Sequence, residues 1–427
     1  MSGRHPLLVG QFSDSFIPVP DGVAYTVKNY ANELAMEGCY VYVIAPKFPN
    51  YCDQERFSVL RYFSLPIPMR KPYRAGIPEL DPFIYNKLKK IPFSIVHIHS
   101  PFSAGRLGLY AGRRSNSPVV ATFHSKYRDD LMRAIHNRRL VDNIIKKIVR
   151  LYDSVDEVWV PQPGITEVLR EYGYKGKTVV IENGTEFGNR ANLEYFRQNA
   201  APRLINGNKK ILLYVGQLIH EKNISFLIES IKYLKHPDFV LWIVGEGYAG
   251  EEMKQMVLKH HLEDKILFKG VIRNRRELEE IYASADLFLF PSLYDNAPLV
   301  VREAASAGTP SLLIRGSHAA EIIEENVNGF LSNPEPLVYA RMVDYLLNNP
   351  ALTRRAGINA SRALARSWKN IAEEVKDRYE SLIRRKEGKM HYINDKETSF
   401  NNFSSRRRAI RLTTVRLISS STGRLGS

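Results

Sequence analysis

Short apolar, β-branched runs alternate with segments of helical period along most of this chain, and the alternation occurs twice. That pattern restricts the fold to βαβ units on parallel sheets, because parallel neighbours need a long crossover, and helical crossovers cover both sheet faces. In the first half the spacing predicts strands at Leu7–Gly10, Tyr40–Ala45, Ile95–His99, Val119–Phe123, Glu157–Val160 and Val179–Glu182. A helix from Val23 to Glu37 places Val23, Val27, Tyr30 and Leu34 on one face and stops at Gly38. The second half restarts at Ile211–Val215 and continues with Val240–Val244, Ile266–Phe268, Leu287–Phe290 and Ser311–Ile314. The polar stretch Gly188–Lys210 between them reads as a linker. A chain of 427 residues can bury two cores. The expected fold class is therefore α/β, with two doubly wound parallel-sheet domains facing across a cleft. Ligands in such sheets bind beyond the carboxyl ends of the strands. The informative segments are then Ser13–Gly22, His99, His124, Asn183 with Gly184, Gly216–Lys222, Gly245–Gly250 and Ser292–Glu303.

Composition narrows the class. Hydrophobic residues make up 44% and charged residues 25%, as in ordinary globular domains. No apolar run is long enough to span a bilayer, and the first residues lack a signal-peptide core. Cys39 and Cys52 are too few for a disulfide framework or a zinc site. These features lead to the expectation of a cytoplasmic protein without a metal or cofactor. The net charge of +16 biases partners toward anions.

The stretch Pro291–Pro310 is the most informative for chemistry. It sets Asp295 and Glu303 eight residues apart, one before a helix and one in its first two turns, with Pro298 at the first helical position. The free N–H groups and positive dipole end of such a helix attract phosphate. Two acids flanking it suit a phosphate joined to hydroxyl-rich groups, as in a nucleotide-sugar. In Gly216-Gln217-Leu218-Ile219-His220-Glu221-Lys222-Asn223 a strand ends at Gly216 and Asn223 is placed to cap the next helix. Lys222 thereby brings an ammonium to a second helix start. Gly245-Glu246-Gly247-Tyr248-Ala249-Gly250 matches a dinucleotide fingerprint, but the acid expected at the end of the next strand is replaced by Lys269-Gly270. The glycines read instead as a turn lining the cleft.

With these motifs, the span from Pro6 to about Arg385 resembles the retaining glycosyltransferases of family four, which have the GT-B fold of two Rossmann-like domains. The resemblance implies a nucleoside-diphosphate sugar donor, held mostly on the C-terminal domain without a metal. It implies that Lys222 neutralises the diphosphate, Asp295 contacts the sugar hydroxyls and Glu303 grips the ribose. It further implies that Gly22 approaches the phosphates and that His124 lies beside the reacting centre. The donor-binding set is then Gly22, Gly216, Gln217, Lys222, Gly245, Asp295, Asn296, Ala297, Pro298, Leu299, Val300 and Glu303, with His124, Lys222 and Asp295 as catalytic residues. Three departures stand out. Gln217 replaces the family's usual arginine, Asp295 is one methylene shorter than glutamate, and Asp295-Asn296-Ala297 replaces Glu-Gly-Phe. His99 reads as structural, and Glu321 as a first-turn acid within reach of the nucleotide.

In this fold the acceptor binds the N-terminal domain, taken as residues 1–190; the donor domain is 191–367, followed by a helix over 368–387 that crosses back. Lys126–Asp153 reads as a basic amphipathic helix or helical pair carrying Lys126, Arg128, Arg133, Arg138 and Arg139, suited to anionic lipid headgroups. The expected acceptor is a glycolipid or glycan precursor, with the enzyme peripheral on the inner face of the membrane. A basic, Arg-rich tail over 388–427 reads as disordered. A soluble-acceptor glycosyltransferase, or an epimerase or phosphorylase of the same architecture, is the alternative chemistry, and a basic nucleic-acid or membrane-binding protein the non-enzyme alternative. Nucleic acid is not an expected partner, since basic residues spread over both halves and no aromatic-rich RNA motif or helix-turn-helix is present.

Overall fold

A computed structural model of the chain describes residues 6–68, 72–187, 193–200 and 209–388. One compact unit, Met1–Lys376, contains two parallel sheets; a second, Asp377–Ser427, is described only over 377–388, which is helical. The tail over 389–427 lies outside the described residues. The first half supplies β1 (Leu8–Phe12), β2 (Tyr40–Pro46), β3 (Ser58–Tyr62), a hairpin of β4 (Ser64–Pro66) and β5 (Arg74–Gly76), β6 (Ile95–Ile98), β7 (Val119–Thr122), β8 (Glu157–Val160) and β9 (Thr178–Val180). The second supplies β10 (Lys210–Val215), β11 (Phe239–Val244), β12 (Ile266–Gly270), β13 (Leu287–Phe290), β14 (Ser311–Ile314) and β15 (Phe330–Ser332).

The first sheet runs β3-β2-β1-β6-β7-β8-β9 and the second β12-β11-β10-β13-β14-β15, with every pair parallel. Both are doubly wound GT-B sheets. Strand order reverses on either side of β1 and of β10, so each sheet has a crevice at its switch point. The crevices are bounded by the loops leaving β1 and β6, and by those leaving β10 and β13. Helices cover both faces, which is why β11 (Phe-Val-Leu-Trp-Ile-Val) and β13 (Leu-Phe-Leu-Phe) are buried along their whole length. The edge strands β3 and β15 had no sequence signature. They are short, and β3 is only partly buried, so neither needs a continuous apolar run.

The stretch expected to be a polar linker contains a helix, Leu193–Ala200. Its Arg197 donates to the carbonyls of Ala307 and Ala285 at 3.1 and 2.7 Å and to Thr309 Oγ1 at 2.7 Å. Burial pulls this guanidinium down to about 10. A polar segment therefore docks on the donor half through the Arg197 cation together with Leu193, Phe196 and Ala200. At the far end a helix runs over 368–388. Trp368 packs edge-on against Tyr30 at 5.4 Å, and Lys376 donates to the Glu37 carbonyl at 2.7 Å, so its first turns lie against the N-terminal half. Among the described residues no helix is long and apolar enough to cross a membrane.

The glycine fingerprint has a packing explanation. Gly245 has φ 137°, and a Cβ there would stand 1.9 Å from the Gly216 carbonyl oxygen; one on Gly247 would stand 2.2 Å from that of Leu218. The loops after β10 and β11 touch through their backbones, which only glycine permits. Gly245→Ala should destabilise the chain by about 2–3 kcal/mol in urea unfolding, the combined cost of a disfavoured backbone and overpacking.

Candidate active site

On the donor side, β13 ends at Phe290 and the loop over 291–298 leads into the helix Leu299–Ser306. Pro298 is the N-cap of that helix, not its first residue, with extended backbone. Ser292 Oγ accepts from the amides of Tyr294 and Asp295 at 3.2 and 3.3 Å, curling the loop so that Asp295 turns inward. Lys222 ends a single 3₁₀ turn, His220–Lys222, and its Nζ lies 2.5 Å from Asp295 Oδ1. Asn223 does not cap the following helix with its side chain. It adopts the left-handed conformation (φ 58°), tolerated by asparagine, and its Nδ2 donates to the Pro291 carbonyl at 3.2 Å. That bond ties the Lys222 turn to the root of the Asp295 loop. Asp295 Oδ2 and Asn296 Oδ1 are buried with no hydrogen-bond partner among the described residues. Adjacent orphan acceptors of this kind demand an outside donor such as a hydroxyl.

Glu303 is reached from one side by Arg275 (Nη2 to Oε1, 2.7 Å) and from the other by the Tyr282 hydroxyl (to Oε2, 2.9 Å). Arg275 also pairs with Glu186 at 2.7 Å and stacks over Phe187 at 4.7 Å, and Glu186 accepts from Asn29 at 3.0 Å. Burial alone would lower the Arg275 pKa, but the carboxylates of Glu303 and Glu186 outweigh it and hold it above its usual value. A cavity of about 550 Å³ opens beside this chain of ions, lined by Glu186, Phe187, Phe196, Arg275, Arg276 and Glu279. Arg275, Tyr282 and Glu186 were invisible to sequence reasoning, since nothing in the spacing links a first-turn arginine to an acid 28 residues on.

The N-terminal half brings its own loops to the same place. Gly22 opens the helix Gly22–Met36, capped by Asp21, which accepts from Ala24 N at 2.7 Å. A Cβ on Gly22 would meet nothing within 4 Å. Gln217 points across to this loop, donating to the Pro20 carbonyl at 3.1 Å. Gly216 donates to Val244 and Gly245 to Gly270, so both glycines serve the sheet ends. His124 leaves β7 and shares a 3.0 Å hydrogen bond with His99 Nδ1, whose other nitrogen bonds Gln11. His97 bonds Thr122 Oγ1 at 2.7 Å and packs at a tilt against His99, centroids 3.9 Å apart. His99 thus holds His124 in place, and Asn296 Nδ2 donates to the His124 carbonyl at 3.0 Å from the opposite half. Asn183 likewise donates to the Ala297 carbonyl at 3.1 Å, and Pro298, Leu299 and Val300 continue half-buried along the helix entrance. Asp14, after β1, is a further acid that sequence reasoning passed over: it accepts from Ser103, Ala104 N and Tyr62, and burial raises its pKa.

Some expected placements do not hold. Glu321 accepts from Gly164 N at 2.6 Å and Gln162 Nε2 at 3.1 Å, so it bridges the two halves and does not point at the donor loops. The basic segment is a helical pair, Tyr127–Ile135 and Arg138–Asp153. Arg128 pairs with Asp142 at 2.9 Å, Arg133 with Glu221 at 3.1 Å, and Lys126 Nζ is 3.5 Å from the Leu293 carbonyl. Arg133, Arg138 and Arg139 are exposed, but Arg133 is drawn to Glu221 and Arg138 lies 4.0 Å from Asp142, so the basic face is only partly open to a lipid surface.

Comparison with known proteins agrees with this architecture. Residues 20–187 match the model of Glycosyltransferase Family 4, and residues 196–363 that of the Glycosyl transferases group 1. The alpha-monoglucosyldiacylglycerol synthase of Streptococcus pneumoniae is 26% identical over 80% of this chain and 79% of its own. A GDP-mannose-dependent alpha-mannosyltransferase of Corynebacterium glutamicum is 25% identical over 76% of each. Among solved structures, Anabaena HepE in complex with UDP and glucose superposes with a TM-score of 0.70 at 18% identity, covering 88% of this chain and all of that one. The chain belongs to glycosyltransferase family four, and it is a GT-B enzyme.

Burial lowers the pKa of all three stacked histidines, that of His124 to about 4. Each is therefore neutral when folded but takes a proton when unfolded below about pH 6.5. The stability they confer is complete above that pH and lost as pH falls toward 4, by about 3 kcal/mol from His124 alone. Urea unfolding at intervals between pH 7 and 4 should show this slope, and His124→Asn should reduce it.

Proposed function

We propose that the chain is a retaining, metal-independent glycosyltransferase that moves a hexose from a UDP-sugar to a hydroxyl of a membrane glycolipid or glycan precursor. The carrying observation is the meeting of Lys222 and Asp295 beside Asn296, whose amide bonds the His124 carbonyl. An ammonium has three protons, so Lys222 can keep Asp295 and still face a diphosphate. With the N–H groups around Ala297–Val300, it opposes the charge that grows on the departing nucleoside diphosphate, the role a metal would otherwise fill. The orphan oxygens of Asp295 and Asn296 accept from sugar hydroxyls. Glu303, held by Arg275 and Tyr282, retains free lone pairs for the ribose diol. His124 is neutral and acts as a hydrogen-bonding group, not as a cation.

In the reaction the bond from anomeric carbon to phosphate oxygen breaks and one to the acceptor oxygen forms on the same face. The acceptor proton passes to the leaving phosphate. Asp295 keeps Lys222 through Oδ1 and offers Oδ2 to the sugar hydroxyls, and no carboxylate is assigned as nucleophile. The acceptor occupies the lobe over 1–190 and the donor that over 191–367. Support for a lipid acceptor comes from the two alpha-monoglucosyldiacylglycerol synthases among the relatives, which would place the enzyme at the inner membrane face; the mannosyltransferases make GDP-mannose the competing donor.

A panel of UDP-glucose, UDP-galactose, UDP-N-acetylglucosamine and GDP-mannose should give nucleoside diphosphate release only with an acceptor lipid present. Release without one would favour an epimerase-type chemistry. Lys222→Ala and Glu303→Ala should each cut turnover at least ~100-fold. Near-normal rates in both would remove this site from the reaction.

A further inference from the structure

The short helix Tyr127–Ile135 belongs to the N-terminal half but sends Asp130 and Arg133 to the donor half. Tyr294 OH donates to Asp130 Oδ1 at 2.6 Å. The Arg133 guanidinium lies 4.8 Å above the Tyr294 ring and 3.1 Å from Glu221 Oε1. Glu221 also accepts from Tyr248 OH at 2.7 Å, which braces it from behind. The two residues gripped are the immediate neighbours of the two that matter for the donor: Glu221 precedes Lys222, and Tyr294 precedes Asp295.

We infer that Arg133 and Asp130 are positioning residues: a latch on the acceptor lobe that sets the spacing of Lys222 and Asp295 and completes the donor site only when the lobes are closed. This rests on the functional reading above and adds to it a coupling between closure and donor grip. The chemistry suits a latch. A guanidinium stacked on a ring and paired with a carboxylate is directional, yet Arg133 itself is half-exposed, which lets salt and motion release it. One arginine contacts both loops, so the two are fixed relative to each other as well as to the N-terminal lobe. If the lobes part, Glu221 and Tyr294 lose their common anchor, and the Lys222–Asp295 spacing is set by the C-terminal lobe alone. Donor would therefore be held tightly in the closed form and let go on opening.

The test compares the full chain with Arg133→Ala, Arg133→Lys, Arg133→Glu, Tyr294→Phe, the double Arg133→Ala/Tyr294→Phe, and the charge swap Arg133→Glu/Glu221→Arg. Three quantities are read: donor KM against kcat, UDP and GDP affinity by calorimetry, and radius of gyration by small-angle scattering. Arg133→Ala should raise donor KM and weaken nucleotide binding about tenfold, with kcat changed less than about threefold. Arg133→Lys should recover part of the loss, and the double variant should be no worse than about twofold beyond the poorer single one, as for parts of one latch. The swap should restore affinity to within about threefold of the parent, against Arg133→Glu alone. The radius of gyration should rise in Arg133→Ala without ligand. A folded Arg133→Ala with nucleotide affinity and radius of gyration unchanged, or a double variant with fully additive losses, overturns the latch. A parent that binds neither UDP nor GDP defeats the functional reading, and the scattering comparison then decides the latch by itself.

Discussion

The contact between Lys222 and Asp295 joins loops that the chain separates by 73 residues, and the rest of the donor side is arranged to make it possible. An ammonium and a carboxylate withdrawn from water need each other: either one left alone would carry a desolvation cost of several kcal/mol. Parallel strands β10 and β13 deliver the two loops side by side because strand order reverses there. Asn223 fastens one loop to the other, and Ser292 folds the second back. Local backbone chemistry thereby holds a charge pair whose members lie far apart in the chain.

The other half of the site depends on neutrality. Three neighbouring histidines are kept unprotonated chiefly by burial, and for His97 and His99 the adjacent rings add to it. Their low basicity follows from burial, and it fixes His124 as a hydrogen-bonding group whose carbonyl and ring serve different partners. The two halves meet through short polar contacts, including Asn296 with His124, Asn183 with Ala297, and Glu321 with Gly164. Hydrogen bonds of this kind are exchangeable for water, which suits surfaces that must part and rejoin.

Much of this was legible in the residues. The strand–helix alternation located both sheets to within a few residues, because central parallel strands must be apolar on both faces. The positions of Lys222, Asp295 and Asn296 followed from their places after strands. The partners of those residues were not legible. Arg275 on Glu303 depends on how two helices of the donor half pack, and Glu221 on Arg133 on how the two halves face each other; periodicity within an element carries no information about either. Arg133 looked like a surface charge for the same reason: helix spacing identifies a polar face but not what covers it. The helix Leu193–Ala200 hid in a polar linker because its docking uses a buried arginine, where pattern reading looks for an apolar stripe.

The glycine contact between Gly245 and Gly216 has a mechanical consequence. Backbones that touch without side chains between them cannot slide independently, so the loops after β10 and β11 behave as a single plate. Asn223 pins the loop after β13 to the same plate. The backbone of that surface is therefore ordered while the polypeptide folds, which leaves the side chains at its rim as the part still to be set when the lobes close.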